Sequence, residues 1–253
     1  MSLTIGIIGF GNFGKFITEQ VPDTCSVLIH DPHASDHPSP HQRVSIEDCI
    51  TQSDIIFLAI PLSSYRTVLH TIKRHIRPTQ LIVDICSVKT VPLRLLEEYL
   101  PKHKNILVTH PLFGPQTFDK SNPSNYSLIL CKSKGTLAEK VLSFCKNEMG
   151  LTITKMSVAA HDKLMADIHA LTFFIAKGLA NLNITPHAIT TPSYKMITDL
   201  VAFSGFHTED LLHTIENGNP YAKHTRSNVL KVFNELHEQL LHTTNTWDET
   251  HDQ

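Results

Sequence analysis

The hydrophobic positions of this chain follow two patterns, one before about residue 155 and another after it. In the first part, short apolar runs typical of buried strands alternate with segments whose apolar residues recur at helical spacing. The predicted strands begin at residue 5 and continue with 26–30, 54–61, 80–86, 105–109 and 126–131, and the predicted helices cover 12–21, 63–76, 92–100 and 137–149. Such alternation is typical of a mostly parallel sheet with helices on both faces.

The second pattern begins near residue 156 and contains helical periodicity alone. It predicts four helices, over 158–182, 192–203, 207–215 and 221–241. The change of pattern divides the chain into two predicted domains, residues 1–155 and 156–253. Within the first of them, a Pro- and Ser-rich stretch over 32–40 predicts a loop, because proline interrupts helices and sheets alike.

A glycine motif joins the first predicted strand to the first predicted helix. It has the form Gly-x-Gly-x-x-Gly and consists of Gly9, Phe10, Gly11, Asn12, Phe13 and Gly14. In a dinucleotide site, the first glycine permits a tight turn, the second lets a pyrophosphate approach the backbone, and the third lets helix and strand pack closely. The chain is therefore predicted to be an α/β protein, with an N-terminal Rossmann-type doubly wound parallel sheet followed by an all-helical C-terminal domain.

An acidic residue follows the second predicted strand at the spacing that a ribose contact requires. Asp31 comes 22 residues after Gly9, close to the separation of about 20 residues at which a carboxylate meets the adenosine ribose. A carboxylate there accepts hydrogen bonds from ribose hydroxyls but repels the 2′-phosphate of NADP, so NAD is the predicted cofactor. The alternative is that the glycines are turn residues only and that Asp31, which precedes Pro32, caps a loop.

Composition narrows the class of protein further. Lys plus Arg is 22 and Asp plus Glu is 24, and no basic block suits a nucleic-acid backbone. No apolar stretch approaches the roughly 18 residues of a membrane span, and the chain starts directly with a core strand, so we expect a cytoplasmic protein. The five cysteines are scattered and predicted to be reduced core residues. The 17 histidines lack metal-ligand spacing, so no metal is expected.

Two later strand ends carry groups that can move a proton. Ser87 and Lys89 enter the turn after one predicted strand, and His110 ends the next. Ligands of open α/β sheets bind beyond the carboxyl ends of the strands, so these residues are expected near the cofactor. An unperturbed pKa of about 6.5 lets a histidine take up a proton at neutral pH. A lone histidine is more often structural, and it is the position of His110 that favours a catalytic role.

At these residues the sequence resembles the prephenate/arogenate dehydrogenase family of tyrosine biosynthesis. The motifs that carry the resemblance are GFGNFG, VDICSVKTVPL, THPLFGPQ and AHDKLMA, which occur in the family's order and span about two thirds of the chain. The resemblance implies an NAD-binding Rossmann domain and a helical domain that forms a homodimer and shapes the substrate cleft. It also implies oxidative decarboxylation, in which hydride leaves the ring carbon bearing the 4-hydroxyl for NAD and carbon dioxide leaves the opposite ring position.

The resemblance further assigns roles within the site. His110 would bond the 4-hydroxyl and act as general base, and Ser87 would fix the same hydroxyl or orient His110. Lys89 would support this turn or bind the anionic substrate. Pro61, at the end of another predicted strand, would line the cofactor cleft with backbone atoms. His161 and Asp162 also match the family, and either belong to the site or serve only to start the long helix, where negative charge is favoured.

The substrate carries two carboxylates, so the helical half is expected to contribute cations. Arg226 is the main candidate because arginine grips a carboxylate with two hydrogen bonds, and Lys223 is the second; solvated helix charges are the alternative for both. Phe173 stands where many relatives have a substrate-contacting histidine. His169 lies one helical turn earlier and is predicted either to reach part of the same volume or to be a core residue.

Gln116 stands where relatives often have an acidic residue soon after the H-P-x-x-G motif. A neutral side chain there removes one natural partner for the ammonium of arogenate, which favours prephenate as substrate. The predicted function is therefore NAD-dependent conversion of prephenate to 4-hydroxyphenylpyruvate, with arogenate as the alternative substrate. Two other hypotheses stay open: another NAD-linked dehydrogenase on the same two-domain plan, and an NAD-binding regulator without catalysis.

Overall fold

The structure, a computed structural model, describes residues 2–33 and 41–248, with side chains up to residue 242. Most of the predicted loop over 32–40, namely residues 34–40, lies outside the described residues, as do residues 1 and 249–253. No helix of the described part is long and apolar enough to cross a membrane.

One eight-stranded sheet forms the first part of the molecule. The strands are β1 (Thr4–Ile8), β2 (Ser26–His30), β3 (Gln42–Arg43), β4 (Ile55–Leu58), β5 (Leu81–Asp84), β6 (Ile106–Pro111), β7 (Ser127–Ser133) and β8 (Thr152–Lys155). Their spatial order is β3-β2-β1-β4-β5-β6-β7-β8, and every neighbouring pair is parallel except β6 and β7. The order β3-β2-β1-β4-β5-β6 is that of a doubly wound dinucleotide-binding sheet, so the predicted fold class is confirmed.

Helices cover both faces of the sheet and make up the rest of the chain. They are α1 (Asn12–Gln20), α2 (Ile46–Gln52), α3 (Tyr65–His75), α4 (Thr90–Tyr99), α5 (Thr136–Asn147), α6 (Val158–Met165), α7 (Leu171–Asn181), α8 (Pro192–Ser204), α9 (Glu209–Gly218) and α10 (Ala222–Asp248). A π-helical turn, Ala166–Ala170, joins α6 to α7, where the sequence predicted one unbroken helix.

The sequence patterns missed three short elements: β3, α2 and β8. β3 has two exposed residues, so it shows no alternation. α2 has seven residues, of which only Cys49 and Ile50 are buried. It begins at a cap, since the hydroxyl of Ser45 accepts the N–H of Asp48 at 3.0 Å. Elements this short contain too few buried positions to reveal a period.

Two apolar layers hold the sheet between its helices. One face packs against α2, α3 and α4 through residues such as Leu69, Ile72 and Leu96, which are fully buried. The other face packs against α1 and α5. The helical part has a much smaller buried cluster, made of Ala170, Phe173, Ile215 and Ala222. The sheet therefore supplies most of the core.

The carboxyl ends of β1, β4, β5 and β6 lie along one edge of the sheet because these strands are parallel. The order of the strands reverses between β1 and β4, since the chain first builds the sheet outward to β3 and then continues on the other side of β1, and doubly wound folds bind their ligands at this point. Helices of the second part cover this edge: Leu62, after β4, donates its N–H to the hydroxyl of Thr214 in α9 at 3.4 Å. The edge is thus enclosed between the sheet and the later helices.

Candidate active site

The glycine turn after β1 has the geometry that a dinucleotide site needs. Gly9 has a φ of 97°, and its N–H donates to the carbonyl of His30 at 2.8 Å. A Cβ at Gly9 would overlap the carbonyl of Ala59, and one at Gly14 would overlap the carbonyl oxygen of Gly9. A Cβ at Gly11 would instead meet open space. The turn therefore leaves room at the N-terminus of α1, where backbone N–H groups have no helical partner.

Asp31 follows β2 and closes onto this turn. Its Oδ2 accepts the N–H of Phe10 at 2.6 Å, and its Oδ1 accepts the N–H of His33 at 2.8 Å. Arg43 donates to the Asp31 main-chain carbonyl at 2.9 Å. The carboxylate therefore lies beside the glycine turn, at the carboxyl end of β2.

The other predicted cofactor residues lie at the same end of the sheet. Asn12 is the first residue of α1, and Pro61 lies between β4 and α3. The ring of Phe13 packs near that of Phe113, with 6.3 Å between the centroids. Gln116 is exposed in the loop after β6 and, with Asn12, lines a shallow cleft of about 310 Å³. Gln116 is thus placed beside the start of α1.

A buried ion pair lies beneath the two later strand ends. The ammonium of Lys89 is 2.6 Å from Oδ2 of Asp84 and donates to the carbonyl of Thr109 at 2.6 Å, and both side chains are fully buried. Tyr65 donates its hydroxyl to Asp84 at 2.5 Å. Burial, aided by this carboxylate, raises the pKa of Tyr65 well above its usual value. The ammonium is used within the protein, which fits the predicted support of the turn and disagrees with a contact between Lys89 and substrate.

His110 lies near the end of β6 and is 4% exposed. Its Nδ1 is 2.9 Å from Nε2 of His161. Burial lowers the pKa of His110 well below its ordinary value, and the neighbouring His169, His161 and Lys89 lower it further. The imidazole is therefore neutral at neutral pH and has a lone pair that can accept a proton. Ser87 lies partly exposed in the loop between β5 and α4, next to the strand of His110.

Asp162, on α6, connects the second part of the chain to the first. Its Oδ1 lies 2.8 Å from Nδ1 of His161, and its two carboxylate oxygens accept the N–H groups of Lys89 and Thr90, each at 2.8 Å. Asn219 donates to the Asp162 main-chain carbonyl at 2.7 Å. Of the two alternatives for Asp162, a place in the site or a role at the start of its own helix, these contacts favour the first, because the carboxylate lies at the N-terminus of α4.

His169 lies in the π-helical turn between α6 and α7. Its ring stacks on that of His110, with 5.8 Å between centroids and an interplanar angle of 21°. Phe173 lies edge-on to His169 at 4.9 Å, and His207 is 4.7 Å from Phe173. Burial lowers the pKa of His169 to about 4. A π turn changes the direction of the side chains on either side of it, and here the turn contains a residue that contacts the candidate base.

Arg226 is paired within the helical part. Its Nη1 donates to the Glu216 carboxylate at 2.6 Å and to the Glu216 main-chain carbonyl at 2.7 Å, which ties α10 to α9. Glu216 is 9% exposed, and burial raises the pKa of its carboxyl despite the guanidinium. Lys223 is exposed on the same helix. To bind a substrate carboxylate as predicted, Arg226 would have to share its guanidinium with Glu216.

Sequence reasoning missed two of these partners. Asp84 could have been found, because an acidic residue inside an apolar strand needs a buried cation or donor, and Lys89 is five residues away. His161 could not have been identified as the partner of His110, since 51 residues separate them and the contact depends on how α6 packs on the sheet.

The doubly wound sheet, with a glycine turn at its switch point and an acidic residue after β2, defines the class of Rossmann-type dinucleotide-binding proteins. Residues 39–148 match the family described as "Prephenate dehydrogenase, nucleotide-binding domain". The match covers 110 of the 253 residues, so this part of the chain is similar to the nucleotide-binding domain of prephenate dehydrogenases.

Two relatives from Arabidopsis thaliana illustrate the similarity. The chain is 32% identical over 214 residues to "Arogenate dehydrogenase 1, chloroplastic", covering 78% of this chain and 33% of that protein. It is 27% identical over 254 residues to "Arogenate dehydrogenase 2, chloroplastic", covering 94% of this chain and 70% of that protein. The chain therefore spans a third of the first relative's length and somewhat over two thirds of the second's.

A solved structure shares the fold over nearly the whole chain. It is the prephenate dehydrogenase of A. aeolicus in complex with hydroxyphenyl propionate and NAD+. The TM-score is 0.70 at 18% sequence identity, and the match covers 97% of this chain and 93% of that one. At this identity the similarity supports the fold alone.

Proposed function

We propose that this chain is an NAD-dependent dehydrogenase that oxidises and decarboxylates prephenate to 4-hydroxyphenylpyruvate. The observation that carries the proposal is His110, a buried and neutral imidazole on the sheet edge that also holds the glycine turn. The similarity of residues 39–148 to the nucleotide-binding domain of prephenate dehydrogenases supports the reaction class. Homodimerisation, a cytoplasmic location and the division at residue 155 belong to the same proposal.

The glycine turn fits NAD. Gly9 and Gly14 hold the backbone in a shape that a side chain would prevent, while the open space at Gly11 suits a pyrophosphate at the N-terminus of α1. Asp31 lies where a ribose hydroxyl would meet it and where a 2′-phosphate would be repelled. When bound, NAD supplies the hydride acceptor. Asn12, Phe13 and Pro61 are assigned to the rest of this cofactor site, because Asn12 and Phe13 begin α1 and Pro61 follows β4.

His110 provides the general base in this proposal. Because it is neutral, it can accept the proton of the substrate 4-hydroxyl as that ring carbon is oxidised, and carbon dioxide then leaves from the opposite ring position to give the phenol. Ser87, on the adjoining loop, bonds the same hydroxyl. Lys89 supports the peptide before His110 through the carbonyl of Thr109, and its ammonium is also paired with Asp84. His169 borders the ring-binding volume because it stacks on His110.

The identity of the substrate side chain rests on Gln116. Prephenate carries a keto group where arogenate carries an ammonium, and a neutral amide lacks the charge that would attract an ammonium. The names of the two Arabidopsis relatives favour the second candidate, arogenate. Arg226 is the proposed partner of the substrate's side-chain carboxylate, with Lys223 as the weaker candidate because it is exposed.

Turnover followed by NADH absorbance tests this proposal. We expect NADH formation with prephenate and NAD, a lower kcat/KM with arogenate, and a lower kcat/KM with NADP than with NAD. In Gln116→Glu the ratio of kcat/KM for arogenate over prephenate should rise at least about tenfold. A preference of the unmodified protein for arogenate would contradict the choice of prephenate. A flat trace with both substrates, together with measurable NAD binding, would indicate a cofactor-binding protein without this activity.

A further inference from the structure

The contacts around His110 form a continuous chain of hydrogen bonds that has no role in the reaction as proposed above. His110 Nδ1 lies 2.9 Å from His161 Nε2, and His161 Nδ1 lies 2.8 Å from Asp162 Oδ1. His161 and Asp162 are fully buried, and His110 is 4% exposed. His110 belongs to β6, whereas the other two residues belong to α6, so the chain of bonds crosses between the two parts of the molecule.

Asp162 fixes the direction of this chain. Its carboxylate accepts the backbone N–H groups of Lys89 and Thr90, which can donate but never accept. Burial raises the pKa of the Asp162 carboxyl, but the hydrogen bonds from His161 and Thr90 outweigh that effect and hold the pKa below its ordinary value. The carboxylate is therefore ionised and accepts hydrogen bonds only. His161 must then donate from Nδ1, and when one nitrogen of a neutral imidazole donates, the other, here Nε2, is the acceptor.

The consequence reaches His110. Because Nε2 of His161 accepts, Nδ1 of His110 carries the hydrogen, and the lone pair of His110 lies on Nε2. We propose that His161 and Asp162 are positioning residues that hold His110 in the Nδ1–H tautomer, so that Nε2 is the atom that takes the substrate proton. After that transfer, the His110 imidazolium donates to His161, and the Asp162 carboxylate at the end of the chain stabilises the positive charge, as in a Ser-His-Asp triad.

Other titratable groups surround these bonds and must be considered in any measurement against pH. His169 stacks on His110 from the π-helical turn, and Lys89 is bonded to the carbonyl of Thr109, the residue before His110. Asp84 pairs with that lysine. None of these groups bonds to Nδ1 of His110, so His161 is the side chain that orients the ring within the described residues.

Two substitutions at His161 separate orientation from folding. In His161→Gln, the amide oxygen can accept from His110 and the amide nitrogen can donate to Asp162, so the direction of the bonds is kept. In His161→Phe, the shape is roughly kept but both hydrogen bonds are lost. Ser157→Ala is the matched control, because it removes the cap of α6, which the Ala160 N–H reaches at 3.2 Å, without touching the chain of bonds.

The first measurement is the ¹⁵N NMR spectrum of the His110 ring at pH 8 in the protein without substrate, assigned with His110→Asn. We expect Nδ1 to be protonated in the unmodified protein, in Ser157→Ala and in His161→Gln, and the Nε2–H tautomer to dominate in His161→Phe. This measurement needs no turnover, so it tests the inference even where the proposed function fails. A protonated Nε2 in the unmodified protein, or an unchanged tautomer in His161→Phe, would overturn the inference.

The second measurement rests on the proposed function and compares kcat and its pH profile. We expect kcat to fall roughly 10²- to 10⁴-fold in His161→Phe and at most about tenfold in His161→Gln, with Ser157→Ala unchanged. In Asp162→Asn, the plateau should fall and the acid limb should move to lower pH, because the imidazolium loses its counter-charge. A uniform fall with an unmoved acid limb would indicate a purely structural role for Asp162, and equal losses in the two His161 variants would contradict orientation by hydrogen bonding.

Discussion

At the scale of single residues, burial decides which groups are available for chemistry. Lys89 and Asp84 neutralise each other inside the protein, so an ammonium that looks like a substrate ligand in the sequence becomes a support for the strand end before His110. His110 is kept neutral by the same burial, which makes it a proton acceptor at neutral pH. The pKa of the Cys86 thiol, next to Ser87, is raised to about 12 by burial, so this cysteine stays protonated.

Replacing the candidate base should lower turnover without affecting the binding of the cofactor. We expect His110→Asn to lower kcat roughly 10²- to 10⁴-fold, because asparagine cannot accept the hydroxyl proton. The dissociation constant for NAD, measured by fluorescence quenching, should change less than about threefold, because the glycine turn is a separate structure. Unchanged kcat would remove His110 from the catalytic role, and a large loss of NAD affinity would indicate a wider structural effect.

Acid should weaken the fold through His169. Its pKa is about 4 in the folded protein, below the ordinary value of 6.5, so the unfolded chain takes up the proton first as pH falls. The stability that this neutral histidine contributes is fully present above pH 6.5 and is lost as pH falls towards 4, with a slope of at most about 1.4 kcal/mol per pH unit.

Urea unfolding of His169→Gln at several pH values measures this contribution. Between pH 6.5 and 4.5 we expect the free energy of unfolding of the variant to fall less steeply than that of the unmodified protein. His237→Gln, at an exposed position on α10, is the matched control and should leave the slope unchanged. Equal slopes in His169→Gln and the unmodified protein would contradict the assignment.

At the scale of secondary-structure elements, the second part of the chain contributes residues to the site from α6 and from the π-helical turn that follows it. The π-helical turn contains His169, α6 carries His161 and Asp162, and the start of α4 receives the Asp162 carboxylate. The ion pair between Arg226 of α10 and Glu216 of α9 links two helices. Arg226 is also the proposed ligand of a substrate carboxylate, so a structural and a binding role must be separated by experiment.

Arg226 and Glu216 variants separate these roles. Arg226→Ala should lower the free energy of unfolding by about 1–3 kcal/mol, because it leaves the largely buried Glu216 carboxylate without its partner. Adding Glu216→Gln should restore most of that loss. If Arg226 also binds substrate, initial rates should show a raised KM in Arg226→Ala and in the double variant that combines it with Glu216→Gln. Glu216→Gln alone should leave KM unchanged. Restored stability with a normal KM would make the pair purely structural.

At the scale of the whole molecule, the sheet is well covered and the helical part is not. Leu230, Phe233, Leu236 and Leu240 recur at helical spacing along one side of α10 and are each at least half exposed. The buried cluster of the helical part contains four residues, so these helices have little core of their own. A second copy of the chain would cover this stripe, as the proposed homodimer requires.

Charge placed on this stripe should therefore dissociate the proposed dimer. We expect the unmodified protein to have the mass of a dimer by light scattering, and Phe233→Glu combined with Leu236→Glu to have that of a monomer. Lys231→Glu, on the opposite side of α10, is the control and should remain dimeric. A monomeric unmodified protein at micromolar concentration would contradict the proposed assembly.

The sequence by itself determined the type of sheet, the position of the glycine turn and the order of most helices. These depend on local periodicity and on residues such as Gly9, where a left-handed backbone and a close approach leave no room for a side chain. The two-residue β3 and the seven-residue α2 escaped prediction because they are too short to show a period.

Only the tertiary structure decided how the charged and titratable residues are used. Lys89 forms an ion pair with Asp84, and the Asp162 carboxylate accepts an N–H at the N-terminus of α4. His161 bonds to His110, from which it is separated by 51 residues of sequence. Hydrophobic patterns report which face of an element is buried, but a hydrogen bond needs two particular atoms within about 3 Å of each other. That distance depends on how the helices pack against the end of the sheet, which no local pattern contains.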